Sequence, residues 1–279
     1  MTKPARSDYH AAATPRLGFT LVEMAVVLAI VGVLISSMML TLAAQVDQRS
    51  FNDTQARLEA ARDAILAYAI ANGRLPCPAT SASAGAEVRL GTGVCGSTTG
   101  TNFDYYGGVS GGVIGGLLPA VTLGYQPVDT AGFAVDGWGN RIRYAVSRVT
   151  TPSFTANFTN KANMQANGLT VQPNDLVVCA SSTGSLPGNT PPSCGTAASV
   201  TNQATIVALI YSPGKNGTSA VALGNDEAAN ENRAGANDAL FVSHTPTPST
   251  ATNGEFDDQL LWIPIGMLYS KLLAAGILP

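Results

Sequence analysis

From residue 24 to residue 46 the chain carries no charged side chain. An α-helix needs about 20 consecutive apolar residues to cross a bilayer, so this run predicts a membrane-spanning helix. One residue at its edge does not fit an ordinary anchor. Glu23 sits inside the apolar string L-V-E-M-A-V-V-L-A-I. A carboxylate in hydrocarbon is costly, and an ionisable group there is a functional hypothesis that requires a partner.

Two simpler readings of the same stretch compete. A plain signal anchor accounts for the apolar run but not for Glu23. A cleaved secretory signal would use the small residues at Leu42, Ala43 and Ala44 as its cut site. Its apolar core would then be about 7–15 residues, shorter than this run. The two differ in outcome, because a secretory signal is removed together with its apolar segment.

The residues just before the run are Gly18-Phe19-Thr20-Leu21-Val22-Glu23, preceded by the basic Lys3, Arg6 and Arg16. This string resembles the processing site of type IV prepilins and type II secretion pseudopilins. The resemblance implies that a prepilin peptidase cuts between Gly18 and Phe19 and methylates the new amino terminus on Phe19. It also implies that Glu23 pairs with the amino terminus of a neighbouring subunit during assembly. The implied partners are that peptidase, other pilin or pseudopilin subunits, and an inner-membrane assembly platform. The implied location is a bacterial inner membrane, crossed once, with the carboxyl-terminal domain periplasmic, and a pilus or pseudopilus filament after assembly. The basic residues ahead of the run agree with a cytoplasmic amino terminus, although Arg49 and Arg57 follow it.

The rest of the chain is neutral and rich in Gly, Ser, Thr and Asn. Only 12% of the 279 residues are charged, against about 25% in average soluble domains. A net charge of −3 gives no basis for nucleic-acid binding, which usually shows a basic patch. Four cysteines allow three pairings. Sequence neighbours pair most simply, Cys77 with Cys95 and Cys179 with Cys194, each pair bracketing a Gly/Pro/Ser/Thr-rich loop. A zinc site is disfavoured, because no C-x-x-C occurs and the only histidines are His10 and His244. Disulfides fit an oxidising compartment.

The pattern predicts an α+β fold, a long amino-terminal helix packed on an antiparallel sheet, pilin-like in outline. Residues 1–18 read as leader and 19–46 as the membrane and assembly helix. Residues 47–72 read as its amphipathic continuation, with Leu58, Ala61, Ile65, Leu66 and Ala69 at helical spacing. Asn72-Gly73 and Pro76 supply the stop. Residues 73–279 form the globular part. Its glycine-heavy segment 105–116 reads as loop, because no phosphate-binding signature accompanies the glycines. Asp136-Gly137-Trp138-Gly139-Asn140 reads as a turn entering a strand at 141–146, with Trp138 a packing residue. It resembles the corresponding turn of the major pseudopilins. Further strands are expected at 176–180, 205–212, 239–242 and 259–263, then a short helix at 264–275.

The segment between the strands at 205–212 and 239–242 reads as one long polar loop. It resembles the S-x-G-x-[DN]-G…D region of pseudopilins, which binds calcium in that family. The resemblance implies a calcium ion held by Asp226 and Asp238, the latter because it immediately precedes a strand. An extracytoplasmic enzyme is a rival reading. It lacks a nucleophile–base pair, since His244 reads as loop, and Asp257 and Asp258, adjacent on a strand, are expected to point apart. A minor subunit at a filament tip, acting as a binding module, is compatible with the pilin-like reading.

Overall fold

The structure is a computed structural model. It describes residues 18, 20–91, 93–96, 102–148, 158–187, 191–217, 224–231 and 239–278, with the side chains of 37–44 and 102–103 outside the description. Phe19 and Asp238 lie outside the described residues. The chain divides into two compact units, Met1–Gln48 and Arg49–Pro279.

Helix α1 spans Leu21–Asn72. Alanine, leucine and valine dominate it, no proline interrupts it, and Gly73 ends it in the left-handed conformation (φ 69°). There the Gly73 N–H donates to Ala69 O at 2.8 Å. In the first unit the described apolar side chains of α1 are exposed on every side of the helix. Leu21 is 88% exposed, Leu28 65% and Val33 71%. Among the described residues no helix is long and apolar enough to cross a membrane, and the side chains of 37–44 fall inside the expected span.

In the second unit α1 buries one stripe, Leu58, Ala61, Ile65, Leu66 and Ala69. Residues three and four apart share a helix face, so the pattern read from the sequence is the face that enters the core. The remaining elements follow in order: α2 (Asn102–Tyr106), β1 (Gly108–Ser110), β2 (Val113–Gly115), α3 (Ala120–Leu123) and β3 (Arg143–Val146), then α4 (Lys161–Asn167), β4 (Val177–Cys179), β5 (Ile206–Ser212) and α5 (Asn225–Glu231), and last β6 (Leu240–Val242), β7 (Gln259–Pro264) and α6 (Ile265–Ala274).

The principal sheet is antiparallel in the order β3-β5-β7. β5 is central and buried along its whole length, as its unbroken apolar run demands. It shares one hydrophobic cluster with the α1 stripe, Tyr144, Ile263 and Leu268. The glycine-heavy segment forms the β1–β2 hairpin instead of unstructured loop. A second departure is that β4 and β6 pair in parallel. They carry a smaller cluster of Val177, Cys179, Cys194, Leu240, Val242 and Phe256. The disulfides are Cys77–Cys95 and Cys179–Cys194, the neighbour pairings.

The Asp136–Asn140 turn fastens α1 to the sheet. Asp136 Oδ1 accepts the Trp138 and Asn140 N–H groups at 2.9 and 2.8 Å, and Oδ2 accepts the Ser212 hydroxyl at 2.5 Å. From the helix, Thr54 Oγ1 accepts the Gly137 N–H at 2.9 Å, and Arg57 donates to Val135 O and Asp136 O at 2.9 and 2.7 Å. Trp138 is half-buried at this junction.

Gly137 lies against the helix backbone, and a Cβ there would stand 2.2 Å from Ser50 O. Gly137→Ala must push α1 away from the turn. We expect a loss of about 2 kcal/mol, in the range for overpacked sites, read as a lower denaturant midpoint for the detergent-solubilised protein.

Candidate functional site

Two places carry the residues singled out by the sequence. The first is the start of α1. Gly18 is exposed and non-helical, and none of the described residues comes within 4 Å of a Cβ built on it. Thr20 is the N-cap: its carbonyl accepts the first helical bond from Met24 N–H at 3.2 Å. Its Oγ1 accepts the Glu23 N–H at 3.2 Å. Glu23 Oε2 in turn accepts both the Thr20 N–H and the Thr20 hydroxyl at 2.8 Å. This reciprocal arrangement is a capping box, which satisfies two of the donors a helix start leaves open. The Glu23 carboxylate is thus held by its own chain. The string T-L-V-E carries the T-x-x-E signature of such a box, so Thr20 was legible in the sequence although only Glu23 was read as functional.

The second place is the segment after β5. It is not one long loop, because residues 225–231 form α5. Asp226 sits in its first turn and is buried. Its Oδ1 accepts from Ser181 Oγ at 3.1 Å, Ser182 N–H at 2.6 Å and Ser182 Oγ at 2.7 Å. Its Oδ2 accepts from Asn253 Nδ2 at 3.1 Å and faces His244 Nε2 at 3.2 Å. Burial opposes the charge on Asp226, but these donors, led by the Ser182 N–H, hold its carboxyl below the usual range. Asp226 therefore joins the loop after β4, α5, the segment after β6 and the Asn253 turn.

Nothing in the sequence pattern joins Glu227 of this segment to the Asp257-Asp258 pair. Glu227, Asp257 and Asp258 bring one oxygen each within 4.8 Å of one another. The expectation that Asp257 and Asp258 point apart fails, because both precede β7 in non-strand backbone. Burial first, and then the charge of Glu227, pushes the Asp257 carboxyl up to about 6. Burial pushes Asp258 well above the usual range and raises Glu227. Asp257 Oδ1 and Asn216 Oδ1 are buried without a hydrogen-bond partner among the described residues. Asn216 Nδ2 donates to Glu227 at 2.9 Å, which puts Asn216 beside the cluster.

His244 stacks on Phe256 with ring centroids 3.9 Å apart. Its Nδ1 lies 2.7 Å from Thr245 O and its Nε2 faces Asp226, so both ring nitrogens are engaged. The Ser181 and Ser182 hydroxyls donate to the carboxylate and not to the ring. The arrangement therefore holds segments together and presents no activated nucleophile. A solvent-open groove of about 240 Å³ runs between Phe51, Gln55 and Glu59 of α1 and the segment of His244 and Pro246.

Asp226→Asn should cost about 2 kcal/mol at pH 7 by turning an amide N–H toward donors. The depressed carboxyl contributes stability above its ordinary value of 3.8 and loses it as pH falls through the lower folded value. Urea unfolding should accordingly show the gap to wild type closing as pH falls below 3.8.

Residues 15–39 match the family model described as the prokaryotic N-terminal methylation motif, the prepilin-type signature. No curated protein and no solved structure matches the chain. The matched residues contain Gly18, Phe19, Thr20 and Glu23, so the chain carries a prepilin-type amino terminus.

Proposed function

We propose that this chain is the precursor of a pilin-like structural subunit, of a type IV pilus or a type II secretion pseudopilus. The prepilin-type signature at residues 15–39 carries the reading. An inner-membrane prepilin peptidase removes residues 1–18 and methylates Phe19. The helix that follows is held in the membrane until an assembly platform draws it into a filament with other subunits. Its uncharged run in the sequence and its outward-facing apolar side chains support this, since such a surface is stable only in lipid or against other helices. The second unit, with its own core and two disulfides, is the periplasmic domain that coats the filament. In the assembled state the Glu23 carboxylate offsets the positive amino terminus of a neighbouring Phe19, which leaves neither charge alone in an apolar core.

Intact-mass measurement of membrane-extracted protein should give a chain that begins at a methylated Phe19. A chain that begins near Gln45, or still carries Met1, would overturn the reading. Glu23→Ala should insert into the membrane and fail to enter filaments.

A calcium ion, as in the resembled family, is proposed at Asn216, Glu227, Asp257 and Asp258 instead of at Asp226. Asp226 has donors on both oxygens, whereas Asp257 Oδ1 and Asn216 Oδ1 have none among the described residues. Calcium takes oxygen ligands of these kinds, and its charge offsets the crowding of three carboxylates. Thermal unfolding in millimolar calcium should show a higher midpoint than in chelator. Asp257→Asn should remove the difference. An equal midpoint in both conditions for the unaltered chain would mean no ion binds there.

A further inference from the structure

The capping box at the start of α1 has a consequence for processing, and the inference rests on the cleavage proposed above. Hydrolysis of the Gly18–Phe19 peptide adds water oxygen to the Gly18 carbonyl carbon. The C–N bond breaks, and a water proton passes to the Phe19 nitrogen. A peptide group inside a helix has its carbonyl tied to a later N–H and is flanked by adjacent turns. The scissile bond therefore has to lie outside the helix when the peptidase engages it.

Three observations show what sets the helix start. Gly18 and Thr20 are non-helical, and α1 begins at Leu21. The Thr20 carbonyl accepts the first helical bond, while its hydroxyl and N–H exchange bonds with Glu23. After the cap, Leu21 and Val22 continue the apolar run of α1, and before it Gly18 discourages extension of the helix. We propose that Thr20 is a positioning residue for cleavage. It ends the helix one residue after the scissile bond, and Glu23 acts through it as the second half of the box before serving as a charge partner in assembly. Thr20 touches neither the water nor the scissile carbonyl in this role. It sets the fraction of precursor molecules whose Gly18–Phe19 bond is available.

The box also separates two properties of Glu23. Glutamine fills the same position of a capping box without the charge. An effect on cleavage should therefore follow the hydrogen bond, and an effect on assembly should follow the charge.

The experiment uses full-length precursor in membrane vesicles with prepilin peptidase, and follows loss of residues 1–18 by intact mass. Thr20→Val keeps the shape and removes the hydroxyl, and it should be cut more slowly by up to about fivefold, the equilibrium factor that one N-cap is worth. Thr20→Ser and Thr20→Asn, both competent N-caps, should recover the wild-type rate. Glu23→Gln should be cut faster than Glu23→Ala. Wild-type cutting with Thr20→Val equally fast, or with Thr20→Ser as slow as Thr20→Val, overturns the inference and leaves the processing reading intact. Wild-type precursor left uncut between Gly18 and Phe19 overturns both.

Discussion

The contact of α1 with the Asp136–Asn140 turn is the constraint on which the second unit depends. Helix backbone meets turn backbone at Ser50 and Gly137 with no room for a side chain between them. The turn is stiffened by Asp136, whose two oxygens hold the turn itself and Ser212 at the end of β5. Asn140 extends the same network to Gly214 through its side-chain amide. One carboxylate thus couples the helix to the central strand. Close packing then follows along the Ala61–Ala69 side of α1, where small side chains let the helix lie near its partners.

The second cluster is held differently. Its strands β4 and β6 are short, and six buried hydrophobic residues make up its core. The Cys179–Cys194 bond closes the loop that presents Ser181 and Ser182 to Asp226. Asn230 of α5 reaches Val242 on β6 and Asp258 before β7. Polar bonds with buried ends substitute here for apolar area, and such networks are costly when any member is left unpaired. The carboxylates beside this network have raised affinities for protons because burial and mutual repulsion both disfavour their charges.

At the amino terminus one short string serves several purposes. Gly18-Phe19 supplies the proposed cut, Thr20 the helix start, and Glu23 both the cap and the proposed charge partner in assembly. This economy arises from spacing. A residue three positions after the N-cap sits where its carboxylate reaches back to the N-cap N–H, so Glu23 can close the box on Thr20.

Much was readable from local pattern alone. The uncharged run, the G-F-T-L-V-E string, the buried stripe of α1, β5 and the helix after Pro264 are each set by residues near in sequence, so periodicity and end signals suffice. The neighbour disulfides belong here too, since each closes a short loop. Tertiary structure decided what depends on distant partners. The parallel pairing of β4 with β6 joins strands far apart in sequence and has no local signature. Residues 225–231 read as loop because they are mostly polar, with Ala228 and Ala229 the exceptions, and they become helix where Asp226, Glu227 and Asn230 find buried donors and acceptors. The meeting of Glu227 with Asp257 and Asp258 depends on backbone that is not strand, so the alternation rule that separates adjacent side chains does not apply. A sequence states which residues can be buried or charged, but only the fold determines which of them share a few ångströms of space.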